Sequence, residues 1–369
     1  MTHGARARIR LGAIQHNFRL IKSKAPGCQA LAVIKGNAYG HGMLAAAGAL
    51  ADADAFGVAR LSEARTLREG GIEKPLVLLG GVGTQTELDE AVLLDTSLSV
   101  HSNAQIILLE NHAGREVATW LKIDTGMNRL GIPAGDAPDA IARLQNCAAV
   151  SDLKIMTHFA NADDPGDPST QLQIEKFLRV IDGFPGEVSI ANSAGLFGSI
   201  QLLHKLHEMR GHDRVWIRPG IALYGVSPIR GKSASELGLR AAMQFEATLC
   251  AVKPISAGQK VGYGGTWRTD RDTMLGIVAA GYGDGYTRFI PSGTPVMVNG
   301  RRVPVVGVVS MDLTAVDLGP GATDRAGDSA ILWGDDDLPV EVVAEYAGTV
   351  PYQLVTGVTH REVPIYEDE

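Results

Sequence analysis

The stretch VIKGNAYGHG, residues 33–42, places a lysine directly after an apolar run and before several glycines. Lys35 at the end of a strand could lose its proton when desolvated, or form an imine with a carbonyl compound. Tyr39 lies four residues further on and could add a hydroxyl group. A lone lysine at a strand end is usually solvated, so its chemistry depends on what lies around it. The glycines predict a loose turn that brings Tyr39 towards the group that Lys35 holds, with His41 as a turn or helix-start residue.

Four further motifs carry polar residues at the ends of apolar runs. They are KIDTGMNRLG with Lys122 and Arg129, THFANAD with His158, ANSAG with Asn192 and Ser193, and RPGIALYG with Arg218, Gly220 and Ile221. Taken singly, each has an ordinary explanation, such as a satisfied histidine, a capping serine or a turn. The motifs indicate a shared functional site only if the fold brings the ends of their strands to one edge of the sheet.

The elements that would position these motifs are short β-branched runs that alternate with helix-like segments. Strands are predicted at 30–34, 55–59, 75–79, 98–102, 117–124, 153–159, 188–192 and 215–218, with helices over LSEARTLREGG, TELDEAVLL, APDAIARLQNC and TQLQIEKFLRVIDG. Eight strands with intervening helices over roughly 210 residues match a (β/α)8 TIM-type barrel. A doubly wound open sheet is the alternative if two of these strands are absent.

The pattern changes after about residue 240, where strand-like runs follow one another with few helices between them. The pair Asn299-Gly300 separates two β-branched runs and predicts a hairpin. We therefore expect an α/β barrel domain over 6–236 and a mostly antiparallel β domain over 237–369. The second domain could also include the first ten residues. The boundary is expected near GKSASELG, 231–238.

In a (β/α)8 barrel, catalytic side chains lie at the carboxyl ends of the strands, and phosphate often binds after strands seven and eight. All five motifs fall at such ends. A phosphorylated aldehyde cofactor needs a Schiff-base lysine, a phosphate cradle and a partner for its ring nitrogen. Ser193 and the backbone NH groups of Gly220 and Ile221 could form the cradle. These features predict pyridoxal 5'-phosphate (PLP), but they do not select a reaction.

Nine motifs in order along nearly the whole chain resemble the bacterial alanine racemase family. They are AVIKGNAYGHG, KIDTGMNRLG, THFANAD, ANSAG, RPGIALYG, VGYGGTW, GYGDGY, VVSMD and PYQLVTG. The resemblance implies a PLP-binding barrel followed by a β domain, and a homodimer whose active sites are shared between subunits. It also implies an isomerase that interconverts L- and D-alanine for peptidoglycan synthesis in the cytoplasm.

The resemblance further implies roles for individual residues. Lys35, which would hold the cofactor, and Tyr263, from the partner subunit, would be the two catalytic bases. The other expected cofactor-binding residues are Tyr39, His158, Asn192, Ser193, Arg218, Gly220, Ile221 and Tyr352. Arg218 would face the pyridine nitrogen, where related decarboxylases place a carboxylate, and His158 would link Arg218 to Tyr263.

The remaining expected roles concern the substrate and its surroundings. Arg129 and the backbone of Met311 would bind the substrate carboxylate. Lys122, often carbamylated in this family, would hold Arg129 in place. Tyr282 would line the entry passage, and Asp312 is expected to be a supporting residue. No function is carried over to Arg361, because the C-terminal segment departs from the family pattern.

Composition and charge limit the alternatives. The net charge of -7 and the lack of a basic stripe argue against nucleic acid as a partner. Three dispersed cysteines without a CxxC motif suggest reduced thiols and no disulfide frame. No metal site, signal peptide or membrane span is expected. The alternatives that stay open are a serine or broad-specificity racemase on the same scaffold, a catalytically silent PLP-carrying protein and, more distantly, a metal-dependent barrel enzyme.

Overall fold

The structure is a computed structural model that describes residues 4–199, 206–211, 214–359, 361 and 363–368. Two sheets dominate it. Eight parallel strands form the first, and we number them as barrel strands in chain order. They are Gln29–Val33, Ala55–Val58, Leu76–Leu78, Thr96–Val100, Val117–Asp124, Val150–Met156, Val188–Asn192 and Val215–Arg218.

The first sheet closes on itself. Each barrel strand pairs in parallel with the next, and the eighth pairs with the first through Trp216 opposite Gln29 and Ile217 opposite Ala30. Closure excludes the doubly wound open sheet and confirms the predicted (β/α)8 barrel. The sixth strand ends at Met156, so residues 157–159 belong to the loop that follows it and not to the predicted strand.

Helices cover the outside of the barrel. Their bounds are Leu11–Lys24, Met43–Ala49, Leu61–Glu69, Gln85–Leu93, Asn103–Glu110, Ala137–Gln145, Ser169–Val180 and Ser193–Gly198, and residues 206–210 are also helical. The helix Ser169–Val180 shows why these segments fold as they do. It buries Thr170, Gln173, Ile174 and Phe177, which repeat every three to four residues and so form one stripe facing the barrel.

Large side chains fill the barrel interior below the carboxyl ends of the strands. Trp120 and Trp216 meet edge to face with ring centroids 5.5 Å apart, and they pack with Leu31, Val77 and Met156. This filling makes the interior a packed core instead of a pore, as in other barrels of this class. Among the described residues, these side chains leave no open channel through the barrel, so a ligand of the barrel would bind at its rim.

The second sheet is mostly antiparallel. Its strands are Arg6–Arg10, Met243–Ile255, Thr273–Val278, Pro295–Val298, Arg301–Pro304, Thr314–Gly319, Ser329–Trp333 and Ile365–Glu367, and the strands Lys260–Val261 and Trp267–Arg268 form a separate ribbon. Helices Val340–Tyr346 and Pro351–Thr356 pack near it, and 3-10 turns lie at Ile221–Tyr224, Ser235–Leu237 and Tyr263–Gly265. The strand Ile132–Pro133 pairs with the fifth barrel strand.

Two details of the second sheet bear on the sequence predictions. The hairpin at Asn299-Gly300 is confirmed, because Val298 pairs with Arg301 and both turn residues have positive φ values of 47° and 74°. The strand Arg6–Arg10 lies between Met243–Ile255 and Ile365–Glu367, so this strand belongs to the second sheet and not to the barrel. None of the described helices is long and apolar enough to cross a membrane.

Candidate active site

A cavity of about 440 Å³ opens at the carboxyl ends of the barrel strands. It is lined by residues at the ends of seven of the eight barrel strands, or in the loops after them, and by Tyr352 of the helix Pro351–Thr356. Eleven of the residues predicted from sequence line it, namely Lys35, Tyr39, Lys122, Arg129, His158, Asn192, Ser193, Arg218, Gly220, Ile221 and Tyr352. The structure thus brings the five barrel motifs to one rim.

Lys35 follows the first barrel strand and faces this cavity. The pKa of Lys35 is lowered from its ordinary value, first by desolvation against the cavity wall and then by the positive charge of Arg129. Glu63 acts in the opposite direction and raises the pKa of Lys35. The net shift increases the fraction of neutral amine, which is the form that takes up a proton or attacks a carbonyl carbon.

The segment after Lys35 is not the loose turn that its glycines suggest. Residues 36–39 all adopt left-handed backbone conformations, with φ between 52° and 63°. Such conformations cost roughly 1–2 kcal/mol at non-glycine positions such as Ala38 and Tyr39. The surroundings hold the turn in place, since Gly36 N donates to Glu63 Oε1 at 2.7 Å and Gly40 N donates to Gly36 O at 3.0 Å. Tyr39 is therefore presented by a rigid turn.

The close packing of this turn explains Gly40. A Cβ atom there would lie 2.1 Å from the carbonyl oxygen of Val355, in the helix that carries Tyr352. His41, expected in a turn, does lie in one, but it is fully buried and stacks on Tyr224 at 4.5 Å between ring centroids. The turn thus joins the first barrel strand to the helix Pro351–Thr356.

One end of the cavity is built from backbone amides and hydroxyl groups. Ser193 Oγ accepts hydrogen bonds from Gly220 N at 2.9 Å and Ala222 N at 3.3 Å. A Cβ atom at position 220 would lie 2.6 Å from Tyr39 Oη, so a side chain there would fill the space beside the tyrosine hydroxyl. Burial raises the pKa of Tyr39 above its ordinary value, and the phenol therefore stays a hydrogen-bond donor. These donors around an open space suit a phosphate group.

Four cationic side chains, those of Lys35, Lys122, Arg129 and Arg218, face the same cavity, and no carboxylate is found among the described residues that line it. Lys122 is half-buried, and its pKa falls to about 8, because of desolvation first and then the charges of Arg218, Arg129 and Lys35. Burial lowers the pKa of Arg218 to about 10, so it stays protonated at neutral pH. The excess of positive charge makes this a site for anionic ligands.

Arg218 forms the floor of the cavity. It is 5% exposed and donates to Ser189 Oγ and to the carbonyl oxygen of Thr157. None of the ion pairs among the described residues involves Arg218, so its charge is left to act on whatever occupies the cavity. An arginine in this setting is a permanent donor that does not give up its proton.

His158 lies beside Asn192, with 3.3 Å between His158 Nε2 and Asn192 Nδ2. Burial and the charge of Arg218 hold the pKa of His158 well below its ordinary value, so the imidazole is neutral at neutral pH. Among the described residues of this chain, no hydrogen bond joins His158 to Arg218, and the further link to Tyr263, which is expected from the partner subunit, stays a prediction. Arg218 instead bonds to Thr157 and Ser189.

The other four predicted site residues lie in the second sheet's loops and do not line the cavity of the same chain. Tyr263, Met311 and Tyr282 are 68%, 54% and 38% exposed, and Asp312 is exposed as well. Backbone bonds join two of their loops, because Gly283 N donates to Met311 O at 2.8 Å. All four residues therefore lie outside the cavity that contains Lys35.

Several residues that shape the site were not singled out from sequence. Arg361 pairs with Asp284 at 3.2 Å and Asp312 at 2.7 Å, which ties the C-terminal segment to the Met311 loop. Glu63 accepts hydrogen bonds from the backbone of two neighbouring rim loops, from Gly36 N after the first barrel strand and from Ala59 N after the second. Its signal was the acidic residue in the first turn of the helix Leu61–Glu69.

Three buried hydroxyl groups were also missed. Thr125 and Thr157 share a hydrogen bond of 2.8 Å between their Oγ1 atoms, and Ser189 accepts from Arg218. Both threonines stand inside motifs chosen for their charged neighbours. The available signal was that a hydroxyl residue among apolar strand residues must find a partner inside the protein.

Together, the closed barrel, the strand-end lysine and the anion-binding rim define a barrel enzyme of the lysine-dependent, phosphate-cofactor class. Comparison with known proteins assigns the family. Sequence profiles of the alanine racemase N-terminal and C-terminal domains match residues 9–228 and 242–366. The chain belongs to the alanine racemase family, which is PLP-dependent, and it is an isomerase of the racemase class.

Individual relatives agree with this assignment over nearly the whole chain. The alanine racemase of Shewanella sediminis is 49% identical over 358 residues, covering 96% of this chain and 97% of the relative. That of Aeromonas hydrophila is 46% identical over 357 residues, covering 96% and 97%. The family resemblance seen in the sequence and the predicted racemase function are therefore confirmed.

Solved structures show the same fold. The biosynthetic alanine racemase of Pseudomonas aeruginosa superposes with a TM-score of 0.92 at 40% identity, covering 99% of both chains. The alanine racemase of Bartonella henselae with covalently bound pyridoxal phosphate gives a TM-score of 0.86 at 29% identity, also covering 99% of both chains.

Proposed function

We propose that this protein interconverts L- and D-alanine with PLP bound at the barrel rim, and that Lys35 and Tyr263 act as the two bases. The observation that carries the proposal is the rim itself, where Lys35 faces a cavity that holds three further cations and a hydroxyl-lined end. The D-alanine produced would serve peptidoglycan synthesis. We place the reaction in the cytoplasm.

The residues present fit PLP at both ends of the cavity. Ser193, Tyr39, Tyr352 and the amides of Gly220 and Ile221 would hold the phosphate, and the space that a Cβ at position 220 would occupy stays open for it. Lys35 would bind the cofactor covalently from the opposite side. When bound, PLP spreads the negative charge that develops on the substrate Cα after proton loss. Asn192 and His158 would line the ring, both as neutral groups.

Arg218 supports a racemase over a decarboxylase. It would face the pyridine nitrogen, and because it keeps its own proton it would leave that nitrogen unprotonated. Its two hydrogen bonds to Ser189 and Thr157 keep the guanidinium in one orientation. A cofactor ring with an unprotonated nitrogen would withdraw electrons less strongly. This favours return of a proton to the substrate Cα over other reactions of the substrate.

The substrate carboxylate would bind to Arg129, whose charge lies on the same rim as Lys35. Lys122 would fix Arg129 after reaction of its amine with CO2, as the family resemblance implies. The lowered pKa of Lys122, about 8, supports this, because the neutral amine is the form that adds CO2. A carbamate would also replace one of the four clustered positive charges by a negative one.

Racemisation needs a proton removed from one face of Cα and another delivered to the opposite face. Lys35 would serve one face, since its lowered pKa provides neutral amine. The second base must come from elsewhere, and Tyr263 is exposed on a surface away from its own cavity. We therefore propose a homodimer in which Tyr263 and Met311 of one subunit complete the cavity of the other, with Tyr282 at the entry.

We also propose two domains, divided between residues 236 and 237 as the sequence predicts, but with the barrel domain beginning at Leu11 instead of residue 6. The strand Arg6–Arg10 is assigned to the second domain, because its hydrogen bonds are with Met243–Ile255 and Ile365–Glu367.

Chiral product analysis tests the proposed substrate. Purified protein with PLP is incubated separately with L-alanine, L-serine and a panel of other amino acids, and the enantiomers are separated. We expect L-alanine to be racemised with the highest kcat/KM. Preferred racemisation of serine would favour the broader enzyme, and no turnover of any amino acid would favour the silent carrier.

A further inference from the structure

Gln173 is a buried polar residue that does not line the cavity. It lies on the helix Ser169–Val180 outside the barrel and is 2% exposed. A buried carboxamide is unfavourable unless its donors and acceptor find partners. Where those partners lie therefore shows what the side chain holds together.

All the described partners of Gln173 belong to two rim loops. Its Oε1 accepts a hydrogen bond from Ala160 N at 2.9 Å, and its Nε2 donates to His158 O at 3.0 Å. The same Nε2 donates to Thr125 Oγ1 at 3.2 Å. One side chain thus bridges the loop after the sixth barrel strand and the loop after the fifth.

The bridge continues as a chain of bonds with one consistent direction. Thr157 Oγ1 donates to Ile123 O at 2.9 Å, so its single proton is already used. The bond of 2.8 Å between the two threonine hydroxyls must then be donated by Thr125 to Thr157. Thr125 in turn needs a donor, and the amide of Gln173 supplies it. A carboxylate at position 173 has no proton to donate, so one of its oxygens would face the carbonyl oxygen of His158 without a hydrogen bond.

This chain ends at groups with proposed roles in substrate and cofactor binding. The backbone of Thr157 accepts a hydrogen bond from Arg218. Arg129 lies four residues after Thr125, in a loop whose start is held by Asp124 Oδ1, which accepts from Gly126 N and Asn128 N at 2.9 and 3.1 Å. The bonds of Thr157 to Thr125 and Ile123 also join the Arg129 loop to the Arg218 floor, and Gln173 adds three further hydrogen bonds to this connection.

We propose that Gln173 is a positioning residue that sets the Arg129 loop against the loop of His158, and so fixes the carboxylate-binding arginine relative to the rest of the site. The proposal rests on the proposed function for its kinetic consequence. Its structural consequence, a fixed spacing of two loops, stands apart from any activity.

The test compares Gln173→Leu and Gln173→Glu with Gln171→Leu in the holoenzyme. Gln171 is an exposed residue of the same helix whose side chain bonds to Glu175 within that helix, so it is a matched control. For Gln173→Leu we expect the KM for L-alanine to rise about tenfold, as loss of a bridging hydrogen-bond set allows, with kcat changed less than about threefold. Gln171→Leu should match wild type.

The Gln173→Glu variant tests whether the hydrogen bonds that the Gln173 amide donates position the two loops, or whether the volume of the side chain is sufficient. Burial raises the pKa of a carboxyl group, and only its protonated form can donate to His158 O. Its KM relative to wild type should therefore be smaller at about pH 6 than at about pH 8.5, because the protonated fraction is larger at the lower pH. This arm decides the proposal if Gln173→Leu does not fold. A ratio that does not change with pH would overturn the donor role.

Hydrogen–deuterium exchange provides the readout without activity. In Gln173→Leu, peptides covering 124–131 and 157–162 should exchange about tenfold faster, while peptides of the second sheet keep the wild-type rate. Unchanged exchange in both loops would overturn the proposal. If wild-type protein does not racemise alanine, the proposed function fails, but the exchange result still decides whether Gln173 holds the two loops.

Discussion

Replacing Lys122 by methionine tests the electrostatics of the rim. The substitution keeps most of the side-chain volume and removes one of the four clustered cations. In cofactor-free protein, in buffer without CO2 or phosphate, we expect Lys122→Met to be more stable than wild type at pH 7. The reason is that wild type must keep an ammonium group in a half-buried position beside Arg218 and Arg129.

The size of the gain follows from the pKa of Lys122, which is lowered from 10.5 to about 8. A tenfold change in proton affinity corresponds to about 1.4 kcal/mol, so the penalty at pH 7 is at most about 3.5 kcal/mol. Below pH 8, Lys122 is protonated in both the folded and the unfolded chain, and the penalty is fully present. As pH rises from 8 towards 10.5 the folded chain loses the proton first, so wild type gains stability and the advantage of the variant shrinks.

The assay is urea unfolding, followed by circular dichroism at one protein concentration, at pH 7 and at about pH 9.5. At about pH 9.5, less than half of the difference in free energy of unfolding between the variant and wild type should remain. Lys176→Met, at an exposed position of the helix Ser169–Val180, is the control and should stay within about 0.5 kcal/mol of wild type. Added bicarbonate should stabilise wild type at Lys122 but not the variant. A variant that is no more stable at pH 7, or whose gain is the same at both pH values, would refute the reasoning.

Three further predictions concern cofactor and catalysis. We expect wild type to show the visible absorbance of covalently bound PLP and Lys35→Ala to lack it, and unchanged absorbance in the variant would remove Lys35 from that role. Gly220→Ala should raise the Kd for PLP about tenfold, because the new Cβ would lie 2.6 Å from Tyr39 Oη. Gly135→Ala is the control and should leave the Kd unchanged, because a Cβ there has nothing within 4 Å. Equal effects of the two variants would contradict the phosphate site at Gly220. Tyr263→Phe should slow Cα–H exchange from one enantiomer by about 10²–10⁴-fold more than from the other, measured by mass spectrometry in heavy water. Equal slowing from both enantiomers would argue against two bases.

The barrel could be predicted because its strands are buried on both faces and therefore appear as continuous β-branched runs. The hairpin at Asn299-Gly300 was predictable for a local reason, since its residues accept positive φ. The left-handed turn after Lys35 was not, because Ala38 and Tyr39 do not favour that conformation and are held in it by distant partners.

The candidate site likewise contains some residues that could be predicted from the sequence and others that could not. Charged residues at strand ends could be found because barrel topology dictates which ends meet. Gln173 could not, since it reaches the rim from a helix and shows no charge pattern or motif of its own. Glu63 shows only the signal of a helix-capping residue, which does not indicate that it contacts the rim. The role proposed for Tyr263 requires a second copy of the chain, and in a single chain Tyr263 is an exposed tyrosine.

The sharing of sites between subunits is tested by mixing two inactive variants, Lys35→Ala and Tyr263→Ala. Random pairing in a two-fold dimer leaves one intact site in each heterodimer, and therefore about one quarter of wild-type alanine racemisation. We predict D-alanine formation from L-alanine in the mixture and none in either variant alone. Heterodimers that form but convert no L-alanine would contradict shared sites.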